Sequence, residues 1–124
     1  MRSILYLENG SPLDAALTAG YNHGRFDYEV ISDPSELRSR LANGNNGEIL
    51  GVVIGNLDER NLDILGLSKK KGLRTVALAG ERLREAVKTT ALDLGAVVIE
   101  KPFERNVGLL LQFTAEITKM VEEN

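Results

Sequence analysis

The chain has 124 residues, 43% of them hydrophobic, with 15 lysines and arginines against 18 aspartates and glutamates and a formal net charge of −3. That length is expected to make one domain over residues 1–124. The absence of cysteine excludes disulfides and zinc–thiolate sites, and a single histidine, His23, excludes a multi-histidine metal centre.

The acidic balance also argues against direct nucleic-acid binding, which needs a basic face to neutralise phosphates. No apolar run approaches the roughly 20 residues that span a bilayer. Residues 1–5 are too short before their first polar break to read as a signal peptide. A cytoplasmic domain is the expectation.

In chain order, Ile4-Leu5-Tyr6-Leu7 predicts a strand that ends at Glu8-Asn9-Gly10. Ser11 then caps a first helix with Pro12 at its first position, and Leu13, Ala16, Leu17 and Tyr21 follow at helical spacing. A second strand, Tyr28-Glu29-Val30-Ile31, carries a charge and so reads as less covered. Asp33-Pro34-Ser35-Glu36 combines a cap, a first-turn proline and a reciprocal glutamate, opening a second helix through Leu37 and Leu41. Residues 43–47 form an exposed turn.

The run 49–54 predicts a third strand, ending at Gly55-Asn56. Asp58 caps a third helix over roughly 59–71, with Leu62 and Leu65 inside and a stop at Gly72. Thr75-Val76-Ala77-Leu78 is the fourth strand, ending at Ala79-Gly80. The fourth helix places Leu83, Ala86, Val87, Thr90, Ala91 and Leu94 on one stripe before Gly95. Ala96-Val97-Val98-Ile99 is the fifth strand, ending at Glu100-Lys101-Pro102, and a fifth helix from near Arg105 carries Val107, Leu110, Leu111, Ile117 and Val121.

Five strands alternating with five helices give an α/β fold, an open parallel sheet covered on both faces, because crossovers are right-handed. Such sheets bind ligands outside the carboxyl ends of their strands. The informative residues are therefore the strand exits: Glu8, Asn9, Gly55, Asn56, Ala79, Gly80, Glu100 and Lys101.

Gly95-Ala96-Val97-Val98-Ile99-Glu100-Lys101-Pro102-Phe103, with Ile4-Leu5-Tyr6-Leu7-Glu8-Asn9 and Thr75-Val76-Ala77-Leu78-Ala79-Gly80, resembles the receiver domain of two-component response regulators. The resemblance covers essentially the whole chain and implies a flavodoxin-like sheet with strand order 2-1-3-4-5. It also implies a cis bond between Lys101 and Pro102. In that family two acids after the first strand and an aspartate after the third hold magnesium. The aspartate accepts a phosphoryl group, and a lysine and a hydroxyl hold that group.

Carried over residue by residue, the first acid falls on Glu8 and the second on the neutral Asn9. The phosphoacceptor falls on Asn56, which Leu57 follows; one register back it would fall on Gly55. The switch hydroxyl falls on Ala79, the switch aromatic on Val98, and the lysine on Lys101. Arg60 stands where the family usually has proline. An amide cannot form an acyl phosphate. Magnesium binds through carboxylates and phosphate oxygens, and one glutamate, Glu8, with two amides, Asn9 and Asn56, makes a poor site for it. The resemblance therefore implies a pseudo-receiver: no enzyme, no required cofactor, and signalling without phosphorylation.

Two readings compete at some of these residues. Glu8 and Lys101 form either an active-site remnant or a structural ion pair beside Asn56, and the ion pair is favoured. Asp58 is either a helix cap or an alternative phosphoacceptor brought in by a loop shift, and the cap is favoured. His23 reads as a solvated turn residue, and Lys69, Lys70 and Lys71 as a solvated helix end. Arg82, Arg84, Glu85 and Lys88 on the fourth helix, Val98 on the fifth strand, and Glu104 and Arg105 before the fifth helix mark a face for a protein partner or a second copy. The chain would stand alone or precede an output module such as a transcription regulator. A small-ligand sensor is a further alternative.

Overall fold

The computed structural model describes residues 3–7, 27–43, 48–100 and 107–122. The first predicted helix, His23, residues 44–47 and the bond between Lys101 and Pro102 lie outside the described residues. The elements are β1 (Ser3–Leu7), β2 (Asp27–Ile31), α1 (Pro34–Asn43), β3 (Ile49–Ile54), a 3₁₀ turn (Glu59–Asn61), α2 (Leu62–Lys70), β4 (Arg74–Ala79), α3 (Glu85–Asp93), β5 (Val97–Glu100) and α4 (Val107–Glu122). Thus α1 to α4 are the second to fifth helices of the sequence reading.

The five strands form one sheet in the order β2-β1-β3-β4-β5, and each neighbouring pair runs parallel. The sequence-based fold is therefore the observed one. Register brings the strand exits level: Leu7 pairs with Ile31 and Ile54, Ile54 with Ala77, and Ala79 with Glu100. Period-two alternation divides each central strand between two apolar layers. Leu5, Leu7, Val52, Ile54 and Ala77 face Leu37, Leu41, Ile64, Leu65, Val87 and Ala91, so α1, α2 and α3 cover one side. Ile4, Tyr6, Val53, Val76, Leu78 and Ile99 face Phe113, Ile117 and Met120 of α4 on the other.

Helix ends follow their local chemistry. Asp33 Oδ1 accepts the Ser35 N–H at 2.9 Å and opens α1 as expected. Gly72 (φ 69°) and Gly95 (φ 83°) take the left-handed conformation that ends α2 and α3. At each end the next residue reaches back: Leu73 N–H to Ser68 O at 3.0 Å, and Ala96 N–H to Ala91 O at 3.1 Å.

Three helix faces differ from the sequence reading. In α2 the buried apolar residues are Ile64 and Leu65, and Leu62 is half-buried. The 3₁₀ turn takes residues 59–61, so the α-helix begins later and rotates Ile64 inward. In α3 Val87 and Ala91 are buried, whereas Ala86 and Thr90 are exposed. In α4 Val107 is 72% and Leu111 64% exposed, and Phe113 and Met120 join Ile117 in the core instead. The side chain of Leu110 lies outside the described residues. Ile117 and Val121 pack as expected, but the helix is apolar on more than one side, so periodicity alone misplaced Val107 and Leu111.

Candidate functional site

The exit of β3 is stitched to its neighbours on both sides. Gly55 N–H donates to Leu7 O at 2.9 Å, and Leu57 N–H donates to Leu78 O at 2.8 Å. A Cβ on Gly55 would stand 2.7 Å from Leu7 O, so only glycine fits there. Asn56 is consequently the first residue past β3 that can carry a side chain. Leu57 then turns into the core at 2% exposure.

The Asn56 amide is half-buried and faces the β4 exit: its Oδ1 lies 3.9 Å from where a Cβ on Gly80 would be. The backbone carbonyl of Asn56 accepts from Asn61 Nδ2 at 3.1 Å, and Asn61 is itself buried. Ala79, fully buried, closes β4. The structure thus brings Asn56, Ala79 and Gly80 together. Of the other expected pocket residues, Glu8, Asn9 and Lys101 lie outside the described residues.

Asp58 caps the 3₁₀ turn. Its Oδ1 accepts the Arg60 N–H at 2.8 Å and Arg60 Nε at 3.3 Å, and Oδ2 accepts Nη2 at 3.5 Å. The Arg60 backbone bond, and then its guanidinium, hold the carboxyl below its ordinary value. A proline at 60 could not donate that backbone bond, which gives the arginine a local reason.

Sequence reasoning missed Arg38. Its Nε donates to Asp63 Oδ2 at 2.6 Å, and Nη2 donates to Asp63 Oδ1 at 3.2 Å and to Arg60 O at 2.8 Å. One side chain thereby ties α1 to the 3₁₀ turn and to α2. A cleft of about 340 Å³ opens beside it, bounded by Leu7, Ser32, Ser35, Arg38, Asp58 and Arg60 among others.

The expected interaction residues gather around α3. Arg84 Nη2 lies 2.6 Å from Glu59 Oε1, and Lys88 Nζ lies 3.1 Å from Glu100 Oε1 and 3.6 Å from Glu85 Oε1. Hydrogen bonding to Glu100 raises the Lys88 amine above its ordinary value. Arg82 is exposed, and Val98 packs half-buried against the α3 side of the core. Glu104 and Arg105 lie outside the described residues. Glu59 was missed because its partner is 25 positions away and no local spacing signals such a pair.

No family model matches the sequence, and no curated protein matches it. Solved structures do. A CheY-like response regulator receiver domain protein from Methanospirillum hungatei aligns over 100% of this chain and 99% of its own, at 15% identity and TM-score 0.72. A response regulator receiver protein from Sinorhizobium medicae aligns over 98% of this chain and 94% of its own, at 14% identity and TM-score 0.72. The fold is that of response-regulator receivers. The receiver domain of the TMAO respiratory system response regulator TorR adds a third match, over 97% of this chain and 99% of its own, at 16% identity and TM-score 0.69. In this receiver fold Asn56, Ala79 and Gly80 lie at the exits of the central strands, where open α/β sheets place their ligands. Among the described residues no helix is long and apolar enough to cross a membrane.

Proposed function

We propose that this chain is a signal-transduction domain that acts by protein–protein contact without being phosphorylated. The observation that carries the reading is the closure of position 55 against Leu7 O, which leaves Asn56 as the residue presented at the β3 exit. An amide there offers no carboxylate for phosphoryl attack. Ala79 offers no hydroxyl beside it. The described donors suit magnesium poorly as well: Asn56 O already accepts from Asn61, and the Asp58 carboxylate is held by Arg60. The domain is then neither an enzyme nor dependent on a cofactor.

Its output is contact with a protein partner or a second copy in the cytoplasm, through Arg82, Arg84, Glu85, Lys88 and Val98 together with Glu104 and Arg105. The mixed charges there suit orientation of a partner more than raw affinity. A homodimer, alone or driving a transcription-regulator output module, is the form this reading favours.

Incubation with acetyl phosphate and magnesium, followed by intact-mass measurement, should give no phosphoryl adduct. A stable adduct lost in Asp58→Asn would overturn the proposal in favour of phosphorylation at Asp58.

A further inference from the structure

Among the described helices, α3 has the lightest apolar anchor. It runs nine residues, Glu85–Asp93, and its buried side chains are Val87 and Ala91. By comparison, α1 buries Leu37 and Leu41, α2 buries Ile64 and Leu65, and α4 buries Phe113, Ile117 and Met120. Burial stabilises in proportion to apolar area, so a valine and an alanine hold least. The N-cap of α3 is Arg84, whose side chain makes no capping hydrogen bond. On its outer side Leu92 is 57% exposed.

Two ion pairs hold this helix from opposite flanks. On one flank Arg84 meets Glu59 at 2.6 Å, in the 3₁₀ turn three residues past Asn56. On the other Lys88 meets Glu100 at 3.1 Å, the last residue of β5. Neither pair is local: they span 25 and 12 positions. Together they run a line of charge from the β3 exit, across α3, to the β5 exit. Glu59 and Arg84 are 68% and 67% exposed, so dissolved salt reaches that pair.

We propose that α3 is seated by charge, and that ionic strength sets how tightly it lies against the sheet. At low salt the two pairs fasten the helix to the 3₁₀ turn and to β5. As salt rises the attraction is screened, and α3 opens locally while the sheet stays closed. Exposed pairs are individually weak, so the effect is graded. The inference concerns the seat of α3 and holds whichever partner its outer surface meets.

Hydrogen exchange of the α3 amides tests it on the intact chain. Raising sodium chloride from about 0.01 M to about 1 M should speed exchange at residues 88–94 by about two- to fivefold. Amides 51–54 of β3, in the middle of the sheet, should not change. In the double variant Glu59→Gln with Glu100→Gln, α3 exchange should be fast already at low salt and lose its salt dependence. Reversing one pair in the parent, Glu59→Arg with Arg84→Glu, should keep both protection and salt dependence. Salt-independent exchange in the parent would overturn the proposal. So would the parent's salt slope persisting in the neutralised variant, or β3 amides speeding up in parallel with α3. The substituted residues are surface charges, and a melting curve on each variant separates local opening from loss of fold.

Discussion

Replacing Gly55 by alanine should destabilise the protein by about 2 kcal/mol, from three contributions worked at that position. The new methyl would sit 2.7 Å from Leu7 O, 3.3 Å from Tyr6 Oη and 3.5 Å from Tyr6 Cε1. The nearest of these is backbone, so it cannot rotate away, and overpacking of this kind costs about 1–3 kcal/mol. Relief requires β3 to move from β1, which stretches the 2.9 Å bond from Gly55 N–H to the same Leu7 carbonyl. A weakened hydrogen bond adds up to about 1 kcal/mol. Against both stands the reduced freedom of alanine in the unfolded chain, about 0.4–1 kcal/mol. Gly66→Ala, inside α2 with nothing within 4 Å of the new methyl, supplies the opposite sign. It should stabilise by about 0.5–1 kcal/mol. Urea unfolding of parent and both variants measures the two values on one scale. If Gly55→Ala fell within about 0.5 kcal/mol of the parent, the exit would be open. Residue 55 could then bear a side chain, and the assignment of Asn56 to the site would lose its physical basis.

Two further outcomes follow from the packing and the charges. A Cβ on Gly51 would stand 2.4 Å from Met120 Sδ and 3.0 Å from Arg74 O. Gly51→Ala should therefore cost about 1–3 kcal/mol and Met120→Ala about 2–5, with the double variant well below their sum; additive losses in denaturant unfolding would refute direct contact. Glu29 is paired with Arg40 through Nη1 and, at 2.8 Å, through Nη2, and this hydrogen bonding holds its carboxyl below the ordinary 4.5. Its pairing therefore contributes stability that is complete above about pH 4.5 and fades as the pH falls further. Glu29→Gln should flatten that part of the stability–pH curve, and an unchanged slope would reject the assignment.

The strands were legible because a parallel sheet buried on both faces writes each central strand as an unbroken apolar run. Leu5, Val52, Val53, Val76 and Ala77 are buried in this way, whereas the strand order was implied only by the resemblance to receivers. Helix faces were less legible. Val107 and Leu111 fit an apolar stripe as well as Phe113 and Met120 do, and only the position of the sheet decides which set goes inside. Capping was readable where it is local, as at Asp33 and Asp58. A bond across 25 positions, such as Arg38 to Asp63 or Arg84 to Glu59, has no sequence signature at all.

That distinction bears on the site itself. The register that puts Asn56 rather than Gly55 at the β3 exit was readable only by resemblance; its physical cause, a carbonyl 2.7 Å from the position of any Cβ, belongs to the pairing of β3 with β1. The acids that outnumber the bases are likewise indistinguishable in sequence, yet they divide sharply in space. Asp33 and Asp58 close helix starts. Glu29, Glu59, Asp63, Glu100 and Glu116 each bind a cation on another element. At the β3 exit the chain places an amide, and of the two carboxylates that follow it Asp58 binds Arg60 within the loop while Glu59 reaches Arg84. On the proposed reading, phosphoryl transfer at this site would take more than Asn56→Asp. The new carboxylate would lie in a loop tied by Asn61 to Asn56 O, by Arg38 to Arg60 O and by Glu59 to Arg84.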